Sequence, residues 1–228
     1  MATPTHEMLV GSRPLSDRPF GLAAFDLDGT LLRGPAVCEV LAQALGRLDH
    51  MKQWEALIAG LSDIDIAAAR EEMVRWYREM PLAELTSRLR SVTNAPRASE
   101  GITLLRRHGV AVAIASITWE FAVAWFARQL HVDYFVGTRL EPEGTLLHFW
   151  PRDKVTWLQG LRDTLRIPAG RMAAIGDSGG GVEMLQAVRH PVFVGATLPS
   201  GLPGVTHLPG ADIATVAHRI IERLRLEA

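Results

Sequence analysis

One cysteine, Cys38, stands in 228 residues. That scarcity excludes an internal disulfide framework and any zinc site built on several cysteines. Neither sign of charge predominates: 24 Lys and Arg face 25 Asp and Glu, a net charge of −1. There is thus no basic field to hold nucleic acid or an anionic membrane non-specifically. Long apolar runs are missing as well. Val110–Ala115 is among the longest, far short of the ~20 residues that span a bilayer. Polar residues and prolines interrupt the first twenty positions where a signal peptide needs a continuous apolar stretch. The eight histidines show no metal-ligand spacing, and no internal repeat or low-complexity tract is present. What remains is a chain with 48% hydrophobic residues, long enough for one domain, or one with a modest insert, burying roughly 70–75% of its unfolded surface. A soluble cytoplasmic protein is expected, without nucleic-acid or membrane partners; a homodimer is left open.

Residues 1–19 are rich in Pro, Ser and Thr and read as a flexible leader. The short apolar run Leu22–Phe25 then stops at Asp26. From Pro35 to Asn94 the periodicity is helical, with candidate helices Ala36–Leu45, Met51–Ala59, Ile64–Met80 and Leu82–Ser91 and no convincing strand. After Pro96 the rhythm changes. Helical patterns at Ala98–His108, Trp119–Leu130, Lys154–Leu165, Val182–Val188 and Ala211–Leu224 alternate with strand patterns at Val110–Ala115, Tyr134–Val136, Met172–Ile175 and Pro191–Val194. Thr138–Leu140 and Thr145–Phe149 flank Glu143-Gly144 as a hairpin. The alternation predicts an α/β fold, a Rossmann-like parallel sheet covered by helices on both faces. Segments 20–34 and 95–228 form its core, and 35–94 is an inserted all-helical cap.

In an open α/β sheet the ligand crevice lies beyond the carboxyl ends of the strands. The polar residues that follow each apolar run are Asp26-Leu27-Asp28-Gly29-Thr30, then Ser116, then Gly176-Asp177-Ser178; Lys154 opens the helix leading to the third. Three carboxylates, a hydroxyl and an ammonium are thereby delivered to one rim. Two aspartates two apart repel each other unless a cation joins them, and magnesium favours such oxygen ligands. A carboxylate can also attack phosphorus to form an acyl-phosphate. Phosphoryl transfer asks mainly for positioning and charge neutralisation.

These ordered segments resemble the four motifs of the haloacid dehalogenase-like hydrolases, and the similarity runs from Leu22 to about Ile221. The helical insert between the first and second motifs resembles the phosphoserine-phosphatase-like group. The resemblance implies a Mg2+-dependent phosphatase acting on a small phosphorylated metabolite. It implies that Asp26 is the nucleophile and a magnesium ligand. Asp28 would serve as general acid and base, its main-chain carbonyl binding the metal, and Asp177 as the far metal ligand. Ser116 and Lys154 would join catalysis, and Gly29, Thr30, Ser116, Ile117 and Lys154 would bind phosphate. A phosphotransferase would differ only in its acceptor.

Two departures from that pattern carry expectations. The family places a second acid four or five residues after Asp177; here those positions are Gly181 and Val182, and Glu183 falls one beyond. Weak magnesium binding is expected, with Ser178 or Glu183 as substitutes, and a degenerate non-catalytic binding protein is an alternative. Phosphoserine phosphatases also carry a Glu shortly after the first motif and Gly-Gly after the second-motif Ser. Pro35 and Ile117-Thr118 stand there, which argues against phosphoserine; the nearest acid, Glu39, reads as a solvated helix residue. Arg70, Arg75 and Arg78 on the insert could meet an anionic substrate, although solvent-facing arginines are commoner there. The rival from another class is a serine hydrolase with Ser178 in the Gly-x-Ser-x-Gly stretch Gly176–Gly180, followed by Asp212 and His218 or His207. Only about fifty residues follow Ser178, too few to deliver a triad from separate later strands, and that reading leaves Asp26, Asp28 and Lys154 unused.

Overall fold

The computed structural model describes residues 9–10, 19–58, 63–141 and 143–226. A two-residue strand, β1 (Leu9–Val10), precedes β2 (Gly21–Phe25), a turn at Leu27–Leu31, and the short β3 (Leu32–Arg33). Four helices come next: α1 (Val37–Ala44), α2 (Leu48–Ile58), α3 (Asp63–Tyr77) and α4 (Leu82–Arg88). The chain returns through β4 (Thr93–Asn94), pairing antiparallel with β3. Then follow α5 (Ala98–Arg107), β5 (Val110–Trp119), α6 (Glu120–Leu130), β6 (Tyr134–Leu140) and β7 (Leu146–Leu147). The remainder is α7 (Pro151–Leu165), β8 (Met172–Gly176), α8 (Val182–Gln186), β9 (His190–Phe193), β10 (Thr206–His207) and α9 (Ile213–Leu226).

The sheet runs β1-β6-β5-β2-β8-β9-β10, with β7 added to β6. All neighbours from β6 to β10 are parallel, and β1 and β7 are antiparallel to β6. Strand alternation divides the core into two layers. Ala23, Phe25, Val112, Ile114 and Ile175 face α5, α6 and α9, while Leu22, Ala24, Ala113 and Ala174 face α7 and α8. Helices on both faces explain why the central strands read as unbroken apolar runs. Leu41, Met73, Trp76 and Leu85 from the helices between β3 and β4 join the first layer. Those helices share their apolar packing with the sheet, and the β3–β4 ribbon forms their neck.

Several expectations change in detail. Residues 1–19 lie mostly outside the described residues; within them Leu9–Val10 pair with β6. Their backbone covers an edge that would otherwise be left open. Ala59, at the end of one expected helix, also lies outside the described residues. Tyr134–Val136 and Thr138–Leu140 merge into one strand across Gly137. A Cβ there would stand 2.8 Å from the Thr118 carbonyl and 2.9 Å from the Glu120 Cα. The glycine is thus required by close backbone approach. The hairpin forms between β6 and β7, turning at Gly144 with φ +94°. The two-residue strands Thr93–Asn94 and Thr206–His207 carried no periodic signal, being too short to show one.

Candidate active site

The rim is built by register. Phe25 pairs with Ile114 of β5 on one side and Ile175 of β8 on the other. The residues just beyond these positions emerge together, and the Asp26 amide donates to the Ile175 carbonyl at 2.9 Å. Asp26 is buried, 7% exposed. Its Oδ1 accepts from the Leu27 amide at 2.8 Å, and its Oδ2 accepts from Lys154 Nζ at 2.9 Å. Lys154 is fully buried, not the surface lysine its type suggests. Pro151 and the Asp153 carboxylate, which accepts from the Trp150 amide at 2.9 Å, start α7 at a fixed point. Lys154 then lies one turn inside, aimed at Asp26. A buried ammonium demands such a counter-charge.

Asp28 and Asp177 complete the acidic side. Asp28 Oδ1 accepts from the Val37 amide at 2.9 Å, tying the first motif to the start of α1. Burial pushes the Asp28 carboxyl up from 3.8 to about 6; the Val37 N–H pulls it down, and the nearby Asp26 and Asp177 charges add to the rise. Asp177 Oδ1 accepts from Thr30 Oγ1 at 3.1 Å. Its pKa is raised by burial and then by Asp26, against the pull of Thr30 and Arg33. Gly29 has φ +73°, and a Cβ on it would stand 2.0 Å from Asp177 Oδ2. No other residue can make this turn while leaving Asp177 in place.

Ser116 lies inside β5, nearly fully buried, and its Oγ accepts from the Thr118 amide at 3.3 Å. β5 runs on to Trp119 through a register shift against β6, so Ser116 is a strand residue and not a helix cap. Ile117 is a third exposed, and its carbonyl accepts from Thr138 Oγ1 at 2.9 Å. Asp26, Asp28, Gly29, Thr30, Ser116, Ile117, Lys154 and Asp177 are therefore grouped at the ends of β2, β5 and β8 and the start of α7.

Among the described residues, no group of three His, Cys, Asp or Glu side chains is placed to hold a metal. The Asp28 carboxylate is turned to the Val37 amide. The carboxylates left at the rim for a cation are those of Asp26 and Asp177. Magnesium takes one or two carboxylates and completes its shell with waters and phosphate oxygens, so the residues fit. Gly181 faces this rim: a Cβ on it would lie 3.8 Å from Asp26 Oδ2. Glu183, exposed on α8, is not among the charges acting on Asp177.

The serine-hydrolase arrangement is not assembled. Asp212 accepts from the Thr215 amide and hydroxyl at 2.9 and 3.0 Å, capping α9, and His207 Nε2 bonds the Gly195 carbonyl at 2.9 Å. Glu39 is not a freely solvated side chain: its Oε2 accepts from the Ala36 amide at 2.7 Å at the start of α1. Arg75 and Arg78 are exposed, whereas Arg70 is 7% exposed and donates to main-chain carbonyls. Sequence reasoning passed over Arg33, whose guanidinium donates to the Gly29 carbonyl and, at 2.8 Å, to the Thr30 carbonyl. The only sequence signal was its place three residues past the first motif.

A model of the haloacid dehalogenase-like hydrolases matches residues 23–186. No curated protein matches the chain in sequence. A phosphoserine phosphatase solved as a phospho-aspartyl intermediate analogue is 20% identical, with a TM-score of 0.71, over 87% of this chain and 98% of its own. A HAD family hydrolase from Salmonella enterica serovar Typhi is 18% identical, with a TM-score of 0.74, over 90% of this chain and 72% of its own. A probable phosphoserine phosphatase from Vibrio cholerae is 18% identical, with a TM-score of 0.71, over 94% and 70%. At these identities the likeness is one of fold. With the family model covering well over half the chain and the motif residues gathered on one rim, the chain belongs to the haloacid dehalogenase-like hydrolases.

Proposed function

We propose that this hydrolase is a magnesium-dependent phosphatase that cleaves a small phosphomonoester through an aspartyl-phosphate on Asp26. The observation that carries the reading is the buried ion pair between Lys154 Nζ and Asp26 Oδ2. It fixes the Asp26 carboxylate at the mouth of the sheet, beside two other carboxylates. An Asp26 oxygen attacks phosphorus, and the bond from phosphorus to the ester oxygen breaks. Asp28, with its carboxyl raised to about 6, gives a proton to the leaving oxygen. It then takes one from the water that hydrolyses the acyl-phosphate, releasing inorganic phosphate and restoring Asp26. Ser116 Oγ, Lys154 and the Gly29, Thr30 and Ile117 segments hold the phosphate oxygens. Asp26, Asp177 and the Asp28 carbonyl would hold magnesium, which would neutralise phosphoryl charge. A relative of this fold solved as a phospho-aspartyl analogue supports the covalent route.

In this reading residues 20–34 and 95–228 form the catalytic core, and 35–94 form a cap that excludes water and reads the leaving group. The substrate is a small phosphorylated metabolite other than phosphoserine, because Pro35 and Ile117-Thr118 replace the residues expected for that substrate and Glu39 Oε2 is engaged at the α1 terminus.

The test is hydrolysis of p-nitrophenyl phosphate. Turnover is expected with magnesium and lost with EDTA. Gly181→Asp should lower the magnesium concentration giving half-maximal turnover, because Gly181 has φ −103° and a Cβ there meets only ordinary contact distances. A wild type that hydrolyses no phosphomonoester and binds no magnesium contradicts the reading.

A further inference from the structure

Arg70 lies on α3, outside every motif, yet it is 7% exposed. Its Nη2 donates to the Ile117 carbonyl at 3.0 Å and to the Phe149 carbonyl at 3.3 Å. Nη1 stands 3.3 Å from His148 Nδ1. The guanidinium carbon sits 4.6 Å over the Trp150 ring, which stacks on His148 at 5.1 Å. His148 has its pKa lowered by burial and by the Arg70 charge, which suits a ring that accepts from Arg70. Thr138 braces the same place from the core: its hydroxyl donates to the Ile117 carbonyl at 2.9 Å and accepts from the Phe149 amide at 3.3 Å.

The two segments so joined are not arbitrary. Ile117 directly follows Ser116, and Trp150 starts the helix whose first turn carries Lys154. One planar, permanently charged fork from the insert therefore reaches the backbone beside two groups of the rim. Arg70 touches none of Asp26, Asp28 or Asp177 in the described hydrogen bonds. Of its described contacts, Nη2 is directed to two main-chain oxygens and Nη1 to the His148 ring.

We propose that Arg70 is a positioning residue: docking of α3 places its guanidinium across Ile117 and Phe149, and this sets Ser116 and Lys154 in their working places. The proposal rests on the phosphatase reading for its catalytic consequence. Its structural half stands separately. Release of α3 withdraws the guanidinium from both backbone segments at once and leaves Thr138 as their described link, so docking of the insert tightens the rim.

The experiment pairs kinetics with hydrogen exchange on the full chain, comparing wild type with Arg70→Gln and Arg70→Lys. Arg70→Gln is expected to speed exchange in peptides covering 117–119 and 149–151. It should lower kcat for p-nitrophenyl phosphate roughly 10- to 100-fold, the scale of a small misplacement of reacting groups, with a smaller change in KM. Arg70→Lys, which keeps the charge but not the fork, should fall between the two on both readouts. Unchanged exchange at both segments in either variant overturns the proposal, as does faster exchange with kcat intact. An inactive wild type removes the phosphatase reading, and exchange then decides alone whether Arg70 holds the two segments. If Arg70→Gln fails to fold, Arg70→Lys supplies both measurements.

Discussion

Replacing Asp26 by asparagine is expected to lower phosphomonoester turnover by about 10³-fold or more, the scale seen when a covalent nucleophile is removed. The amide keeps the shape of the carboxylate, so the Leu27 amide retains its acceptor. What disappears is the charge that faces Lys154 and that, in the proposed reaction, attacks phosphorus. Because Lys154 is fully buried and 2.9 Å from Asp26, the substitution also leaves an ammonium without its counter-ion. Breaking one side of such a pair costs about 3–5 kcal/mol. Thermal unfolding should therefore fall together with activity. The two effects separate in Asp26→Asn combined with Lys154→Met, which removes the stranded charge. That double variant should regain stability while remaining inactive. Recovery of turnover in it would mean that Asp26 serves only to neutralise Lys154.

Asp28→Asn should move activity and stability in opposite directions. Loss of a general acid at the leaving oxygen typically costs ~10²–10⁴-fold in rate. The folded protein, however, raises the Asp28 carboxyl from 3.8 to about 6. A raised pKa means the folded state holds the proton more tightly than the unfolded chain does. Stability from that proton is complete below 3.8 and lost as pH climbs past about 6. At pH 7 the ionised carboxylate thus weakens the metal-free protein by roughly 2–3 kcal/mol, and an amide does not. The Val37 amide keeps its acceptor in the variant. Denaturant unfolding without metal should show Asp28→Asn more stable than wild type at pH 7, with the gain vanishing near pH 4. An equal stability at both pH values would mean that Asp28 is not buried as described.

Both predictions start from residues that could be found in the sequence, and the reason is local. The segment Asp26–Thr30 combines a strand end, two acids and a glycine in one short frame. Burial on both faces of the sheet made β2, β5 and β8 readable as apolar runs, and register then decides that their ends meet. Lys154 and Ser116 carried no such local signal. Each became identifiable only by order along the chain, and their burial was invisible before the sheet was assembled. Arg70 shows the opposite limit. On a helix of alternating charges its type argues for solvent, and only the packing of α3 against Ile117 and Phe149 turns it inward. Arg33 is similar, a basic residue whose role depends on carbonyls exposed by the Gly29 turn. Leu9–Val10 gave no signal, since a two-residue edge strand is set by the partner edge and leaves no periodicity of its own.

The account turns on phosphorus passing through one side chain. Acid quenching during turnover of a phosphomonoester, followed by borohydride reduction and peptide mass analysis, reads this directly, because an aspartyl-phosphate is reduced to homoserine and a free aspartate is not. Homoserine at position 26, absent without substrate, is the predicted result. Sustained turnover with Asp26 recovered unmodified, or with the label at another residue, would contradict it.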